Sequence, residues 1–351
     1  MRLQILKGIA IGAAGILTVA TTASYAQDQN QQDWNACACA GAAAAARDRV
    51  EACTRILGRD IPQMQAFALI HRGRAWVRKG DFDRALADFT AAIKEDADIV
   101  YGYADRGDVY RLRGQCEEAI ADYDYALRLA PDRADIYLSR GICQTEQRRS
   151  DSAAINFDMA VRLDPSNAAG VAALALTRKA DIAAMKGDFA RALPDYDRAI
   201  ALQPEDLAPY ENRAIARFYF GDYRAAAEDL TRAVAGPPNP YAALWLHLSR
   251  ACSGIKQNSA ELARAALRLG PADWPYPIIE LFQGGRAPES VQAAALSPAQ
   301  QCEAHFYVGQ WQLARGARDP AAQAFRQAVD ACSDAVVEYR AALEELKRLK
   351  P

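Results

Sequence analysis

The stretch KGDFDRALADF, which begins at Lys79, returns almost unchanged as KGDFARALPDY, which begins at Lys186. The two copies are 107 positions apart, which is three periods of 34 residues plus five. Each copy places a glycine, an acid and an aromatic residue before an alanine and a second aromatic residue. Self-similarity at a fixed period is typical of proteins built from stacked repeats, so we expect further copies between these two.

The glycine of this pattern occurs in four copies, and an arginine takes its place in one copy. The positions are Gly80, Gly114, Arg148, Gly187 and Gly221. Each copy then has a small, a large and a small residue at i, i+4 and i+7, a spacing that places the three on one helical face. These trios are Ala85, Phe89 and Ala92; Ala119, Tyr123 and Ala126; Ala153, Phe157 and Ala160; Ala192, Tyr196 and Ala199; and Ala226, Leu230 and Ala233. Small residues there let two helices approach, and the large residue fills the space between them.

These features resemble the tetratricopeptide repeat, a helix–turn–helix unit with a period of 34 residues. The resemblance covers residues 64–240 and implies five units of an all-α superhelical solenoid. We expect an N-terminal helical cap with cysteines over residues 27–63. Residues 241–351 are expected to hold degenerate hairpins, an irregular linker at DWPYPIIELFQGG and a C-terminal capping helix at AVVEYRAALEELKRLK, which is amphipathic and ends in basic residues.

The N-terminal segment Met1–Ala26 has the form of a secretory signal peptide. Arg2 and Lys7 precede an uncharged, largely apolar run, and SYA before Gln27 has the small–x–small pattern of a signal-peptidase site. The mature chain would begin at Gln27 and be periplasmic or secreted. An uncleaved segment that anchors the protein to the inner membrane is the alternative.

Eight cysteines favour an oxidising compartment, provided that they pair. We expect a bridge between Cys302 and Cys332, which open the first helix and close the second helix of one predicted hairpin, so that their ends are neighbours. Cys116 and Cys143 lie near the turn ends of consecutive hairpins, and we expect a second bridge there.

The remaining cysteines allow one more bridge near the N-terminus. Cys53 can pair with Cys39 or with Cys37, since a bridge between Cys37 and Cys39 would be too tight. The other member of that pair and Cys252 stay unassigned.

Residues 274–349 carry a second resemblance. WPYPIIELFQG, CEAHFYVGQWQLARG and ACSDAVVEYRAALEELKRL are similar to the C-terminal part of NlpI-type periplasmic repeat proteins. This resemblance implies partners among peptidoglycan hydrolases or a periplasmic processing protease, and self-association as a homodimer. The absence of a lipid-anchor cysteine after the predicted cleavage site departs from that pattern.

Little in the sequence indicates catalysis. The three histidines, His71, His247 and His305, are scattered over predicted helices, with no histidine or cysteine at metal-ligand spacing. The glycines of the repeated stretch are hairpin turns and do not form a phosphate-binding loop. We therefore expect no enzyme activity, cofactor, metal or small-molecule substrate. The predicted mature chain keeps 40 basic and 44 acidic residues, a balance that argues against nucleic acid as a partner.

A solenoid of this kind usually binds partners along the face lined by the first helix of each repeat. Superposing the repeats predicts that this groove holds Arg74, Val77, Tyr101, Asp105, Asp108, Arg111, Arg178, Asp181, Glu211, Asn212, Phe218 and Trp245. Aromatic residues and arginine are the types that most often anchor interfaces. The alternative for Phe218 and Trp245 is that they pack in the core. The sequence thus predicts an exported scaffold or adaptor that binds other envelope proteins, with an anchored structural or secretion-related component as the alternative.

Overall fold

The structure is a computed structural model that describes residues 29–39, 46–59, 61–256, 259–333 and 336–349. The predicted signal peptide lies outside these ranges. Every regular element within them is helical, which confirms the predicted all-α fold of tetratricopeptide-type hairpins. The chain forms two compact units, Met1–Arg149 and Ser150–Pro351.

The first unit contains a short π-helix followed by α-helices that are joined mostly by tight turns. They are the π-helix Asn35–Cys39, α1 (Ala46–Leu57), α2 (Pro62–Arg78), α3 (Phe82–Glu95), α4 (Val100–Leu112), α5 (Cys116–Leu129) and α6 (Ala134–Glu146). Helix α2 packs against α3, and α4 packs against α5, so these pairs form the hairpins that the repeats predict.

The second unit continues the same pattern and then departs from it. Its helices are α7 (Ser150–Leu163), α8 (Val171–Met185), α9 (Phe189–Leu202), α10 (Ala208–Phe220), α11 (Tyr223–Ala233), α12 (Pro240–Ser253), α13 (Ser259–Ala266), α14 (Tyr276–Gln283), α15 (Pro288–Ala294), α16 (Pro298–Leu313), α17 (Arg318–Ala331) and α18 (Val337–Leu349). Hairpins form between α8 and α9, between α10 and α11, and between α16 and α17.

The repeated glycine turns each hairpin because it adopts a left-handed backbone conformation, with φ of 75° at Gly80 and 91° at Gly221. The aspartate that follows begins the second helix: the carboxylate of Asp81 accepts a hydrogen bond from the amide of Arg84 at 3.2 Å. Where the glycine is missing, Arg148 takes the same conformation, with φ of 59°. This turn therefore has the same left-handed backbone conformation at an arginine, a residue for which that conformation is unfavourable.

The predicted trios of small and large residues are buried, as expected. In two of these hairpins the large residue lies against a glycine of the first helix. A Cβ atom on Gly107 would lie 2.8 Å from the ring of Tyr123, and one on Gly73 would lie 2.5 Å from the ring of Phe89. The two helices of these hairpins thus approach closely because the first helix has no side chain at the contact.

A basic residue on each of five first helices, α2, α4, α6, α8 and α10, contacts the helix that precedes its own, the helix that follows its own, or both. Arg106 donates to Asp122 of its own hairpin at 2.8 Å and to Thr90 of the preceding one at 3.2 Å. The other basic residues in this position, each followed by its partners, are Arg72 with Asp88 and Thr54, Arg140 with Asp124, Lys179 with Asp195 and Asp158, and Arg213 with Asp229 and Asp197.

The C-terminal part of the second unit has one large core. Trp245 lies within 5.6 Å of Phe306 between ring centroids, and α18 closes the core by packing against α16 and α17. The hydroxyl of Tyr219 donates to the carbonyl of Val337 at 2.8 Å, which fixes the beginning of α18. The predicted capping helix is confirmed. The expected irregular linker is wrong in part, because α14 forms there and its Ile279 is fully buried.

The structure contains the predicted bridge between Cys302 and Cys332. Cys53 bonds to Cys37 with a Cα–Cα distance of 4.8 Å, so the alternative that pairs Cys53 with Cys39 is wrong. Both bridges join residues that packed helices hold side by side, which is the geometry that a disulfide requires.

The expected bridge between Cys116 and Cys143 is wrong, because both are buried free thiols. Cys116 donates instead to the carboxylate of Glu146 at 3.0 Å. Burial raises the pKa of both thiols, which keeps them protonated, and a protonated thiol does not attack a disulfide.

Candidate functional site

The first helices of the first unit carry an exposed tyrosine between two arginines. Tyr101, on α4, has 43% of its surface exposed. The guanidinium carbons of Arg74, on α2, and of Arg133, just before α6, both lie 5.1 Å from the centre of its ring. Arg74 also donates to Asp105 at 2.6 Å, so its guanidinium is fixed from one side. Three consecutive hairpins thus contribute to one aromatic and cationic surface.

Asp108 organises a second polar group, one helical turn after Asp105. It accepts hydrogen bonds from the hydroxyl of Tyr123 at 2.8 Å and from the hydroxyl of Ser139 at 3.1 Å, and the Nε atom of Arg111 lies 3.5 Å away. A carboxylate that is held by hydrogen-bond donors from two other helices, with an arginine of its own helix beside it, is positioned before any partner arrives.

The second unit repeats this arrangement 73 positions later. Asp181, on α8, accepts from the hydroxyl of Tyr196 at 2.8 Å and from the side-chain amide of Asn212 at 2.9 Å. Arg178 lies 3.6 Å from Asp181, and its side chain is 52% exposed. A polar cluster of tyrosine, aspartate and a donor from the next first helix is therefore a built feature of the repeat.

Burial changes the ionisation of the acids on these faces. It raises the pKa of Asp105, Asp181 and Glu211, although Arg74, Tyr196 and Asn239, respectively, donate hydrogen bonds that oppose the change. Glu211 accepts from Asn239 at 2.9 Å. These carboxylates hold the first helices together and also present polar atoms to the groove.

Two of the predicted groove residues do not lie on this surface. Phe218 and Trp245 are 1% and 2% exposed and pack against each other with ring centroids 5.1 Å apart. Their placement in the groove is wrong, because the α10–α12 region turns these side chains toward the large core. The alternative, that they are core residues, is correct. Val77 is half-buried and packs against the core of the first hairpin.

Sequence reasoning missed Arg133 and Ser139, which complete the tyrosine and aspartate clusters of the first unit. The repeat offset points to Ser139, because Asn212 lies 73 positions after it and the same offset separates Asp108 from Asp181. Arg133 comes just before α6, so a superposition of the first helices does not include it.

In the described ranges, no cluster of three or more histidine, cysteine or acidic residues could hold a metal ion. Burial, with Arg74 nearby, lowers the pKa of His71 to about 4. Of the helices that the structure describes, none is both long and apolar enough to cross a membrane.

The family model described as tetratricopeptide repeat matches residues 71–115, 104–168 and 212–273. The chain is similar to a tetratricopeptide repeat protein from Parabacteroides merdae ATCC 43184, at 15% identity and a TM-score of 0.49 over 92% of this chain and 99% of that one. It is also similar to YrrB, described as a TPR protein with an unusual peptide-binding site, at 21% identity and a TM-score of 0.45 over 56% of this chain and 97% of that one.

A further similar structure is PilF of Pseudomonas aeruginosa, at 14% identity and a TM-score of 0.46 over 80% of this chain and 97% of that one. At such identities the likeness concerns the repeat fold alone. The matched ranges of the family model include the stretch that begins at Lys79, whereas the copy that begins at Lys186 lies between two of them.

Proposed function

We propose that this protein is an exported, non-enzymatic scaffold that binds segments of other envelope proteins along the first-helix face. The observation that supports it most is Tyr101, exposed and flanked by Arg74 and Arg133. A rigid aromatic ring beside cationic groups provides contact area at a small entropic cost, and such residues dominate the energetics of protein interfaces.

Export rests on the disulfides and on the signal-like N-terminus. The bridges Cys37–Cys53 and Cys302–Cys332 favour an oxidising compartment. Cleavage after Ala26 would release the chain into the periplasm or the medium, and mass analysis of the N-terminus checks this. A chain that starts at Gln27 is the expected result, and an intact Met1 in the envelope fraction favours the anchored alternative.

The partner is identified by capture from envelope extract with mass spectrometry, and its affinity is then measured for variants. The resemblance of residues 274–349 to NlpI-type proteins makes peptidoglycan hydrolases and a processing protease the first partners to test, with homodimerisation measured in parallel. We expect Tyr101→Ala and Arg74→Gln each to weaken binding at least tenfold, because hot-spot truncations usually cost about 2 kcal/mol or more.

Tyr210→Ala is the matched control. Tyr210 also lies between two arginines, with Arg213 at 5.6 Å and Arg232 at 5.8 Å, but Arg213 contacts second helices and not the first-helix face. Binding that is weakened equally by Tyr210→Ala and Tyr101→Ala, or by neither, contradicts the proposed face.

A further inference from the structure

The second unit contains a cavity of about 270 Å³ beneath the beginning of the capping helix. Its floor is formed by Ala184 of α8, Phe189 of α9, and Ile215 and Tyr219 of α10, and Val337 of α18 forms part of its wall. The hydrogen bond from Tyr219 to the carbonyl of Val337 fixes this wall in place. An apolar cavity of about 150 Å³ holds a benzene-sized molecule, so this one accommodates a larger apolar group.

The polar groups that border the cavity differ in how they are paired. Asp181 has two hydrogen-bond donors, Tyr196 and Asn212, and Arg178 nearby, so its charge is balanced within the protein. Arg340, in the first turn of α18, has an enclosed Nε atom without a hydrogen-bond partner, and no carboxylate among the described residues forms an ion pair with it. An enclosed donor of a charged group without a partner is uncommon in folded proteins.

We propose that this cavity binds a monocarboxylate with an apolar body, whose carboxylate pairs with Arg340. A guanidinium matches a carboxylate in both charge and shape. The first turn of a helix favours an anion in the same direction, because its amide groups carry partial positive charge. The apolar body would pack against Phe189, Ile215, Tyr219 and Val337, and binding would displace water from these apolar surfaces.

Such a ligand can be a free aliphatic acid or the C-terminal apolar residue of a polypeptide, and the shared chemistry is tested with both. Isothermal titration of the full mature chain would use octanoate, octanol and octylammonium as one matched series. N-acetyl-Leu-Phe with a free carboxylate and its amide form the second series. We expect the carboxylates to bind at least tenfold more tightly than their neutral or cationic counterparts. The tighter of octanoate and N-acetyl-Leu-Phe identifies the source.

Variants separate the cavity from adventitious binding. Arg340→Gln is expected to weaken carboxylate binding at least tenfold, and Ala184→Phe, which fills the cavity from α8, is expected to abolish it. Arg326→Gln, an exposed arginine of α17, is the control and should leave the affinity unchanged. Thermal melting establishes that each variant is folded.

The proposal is overturned if octanol or octylammonium binds as tightly as octanoate, if neither series binds, or if folded Arg340→Gln keeps the wild-type affinity. These outcomes do not concern Tyr101 and the first-helix face of the first unit, so the proposed scaffold function is tested separately.

Discussion

Tyr123 and Trp245 are both enclosed aromatic side chains, but their neighbours come from different distances along the chain. Tyr123 packs on Gly107 and donates to Asp108, which lie 16 and 15 positions before it. Trp245 contacts Phe306 and Tyr307, which lie more than 60 positions after it. The regular hairpins are built from contacts within one or two periods, whereas the C-terminal core joins helices that no period relates. The hairpins are therefore stabilised by local contacts and the C-terminal core by long-range contacts. Substitutions in the two regions should differ in their effect on the free energy of unfolding.

The largest effect is expected at Trp245. Trp245→Ala should lower the free energy of unfolding by about 3–5 kcal/mol, since it leaves a cavity in the large core. Trp76→Ala is the control, because Trp76 is half-buried beside Lys79 and Arg84 and should cost clearly less. Urea denaturation followed by circular dichroism measures both. Equal losses of unfolding free energy would mean that packing in the C-terminal core contributes no more to stability than packing in the hairpins.

The bridge between Cys302 and Cys332 should rank next. Replacing both cysteines with serine opens a 30-residue loop, and we expect a loss of about 3 kcal/mol, because the unfolded chain regains conformational freedom. Cys252→Ser, which removes a free thiol, should leave the unfolding free energy nearly unchanged. An unaltered denaturation midpoint in the double variant would show that packing of α16 and α17 suffices alone.

Glu338 should make the C-terminal region sensitive to pH. Burial, with Glu303 nearby, raises the pKa of Glu338 from 4.5 to about 7. An acid with a raised folded-state pKa binds its proton more tightly in the folded protein, so stability falls as the pH rises from 4.5 through 7. Glu338→Gln should remove roughly 2–3 kcal/mol of this loss between pH 5 and pH 7.5.

The measurement is the unfolding free energy at several pH values in that interval. Glu117→Gln, on an exposed part of α5, is the matched control and should keep the wild-type slope. A wild-type slope in Glu338→Gln as well would mean that other groups cause the pH dependence.

A close approach of two helices at a glycine occurs in both regions, and an added methyl group should lower the free energy of unfolding by a similar amount in each. A Cβ atom on Gly107 would lie 2.8 Å from Tyr123, and one on Gly309 would lie 2.7 Å from Phe325. We expect Gly107→Ala and Gly309→Ala each to cost about 1–3 kcal/mol through overpacking. Thermal and urea denaturation of the pair would reveal whether the C-terminal hairpin tolerates the added methyl group differently.

The smallest effect is a gain. Arg148→Gly should raise the unfolding free energy by about 0.5 kcal/mol, because relief of the left-handed conformation exceeds the added entropy of the unfolded chain. Arg149→Gly is the control, since Arg149 does not have a positive φ, and it should lower stability. A loss in both variants would indicate that the side chain of Arg148 contributes more than its backbone costs.

The division between local and long-range contacts also explains what the sequence predicts. The hairpins follow from glycine, acid and aromatic residues that recur at one period, and the face of Arg74, Tyr101 and Asp105 follows from that superposition. The burial of Trp245 does not, because its partners Phe306 and Tyr307 belong to a helix that no period relates to it, and Phe218 is buried against Trp245. The pairing of Cys53 depended on the local path of the chain near Cys37, which a count of positions leaves open.

The basic residues that join consecutive second helices bear on how the array can change length. Arg106 donates to Thr90, 16 positions before it, and to Asp122, 16 positions after it. It therefore contacts the second helix of the preceding copy and the second helix of its own copy. Excision of one whole 34-residue copy, such as residues 66–99, would bring Arg106 to the place of Arg72 and Asp122 to the place of Asp88, so that the pairing of arginine with aspartate is kept. Excision of half a copy would leave a basic residue beside the wrong helix. Recombination between copies can therefore shorten or extend such a gene by whole units while the ionic joints between hairpins survive.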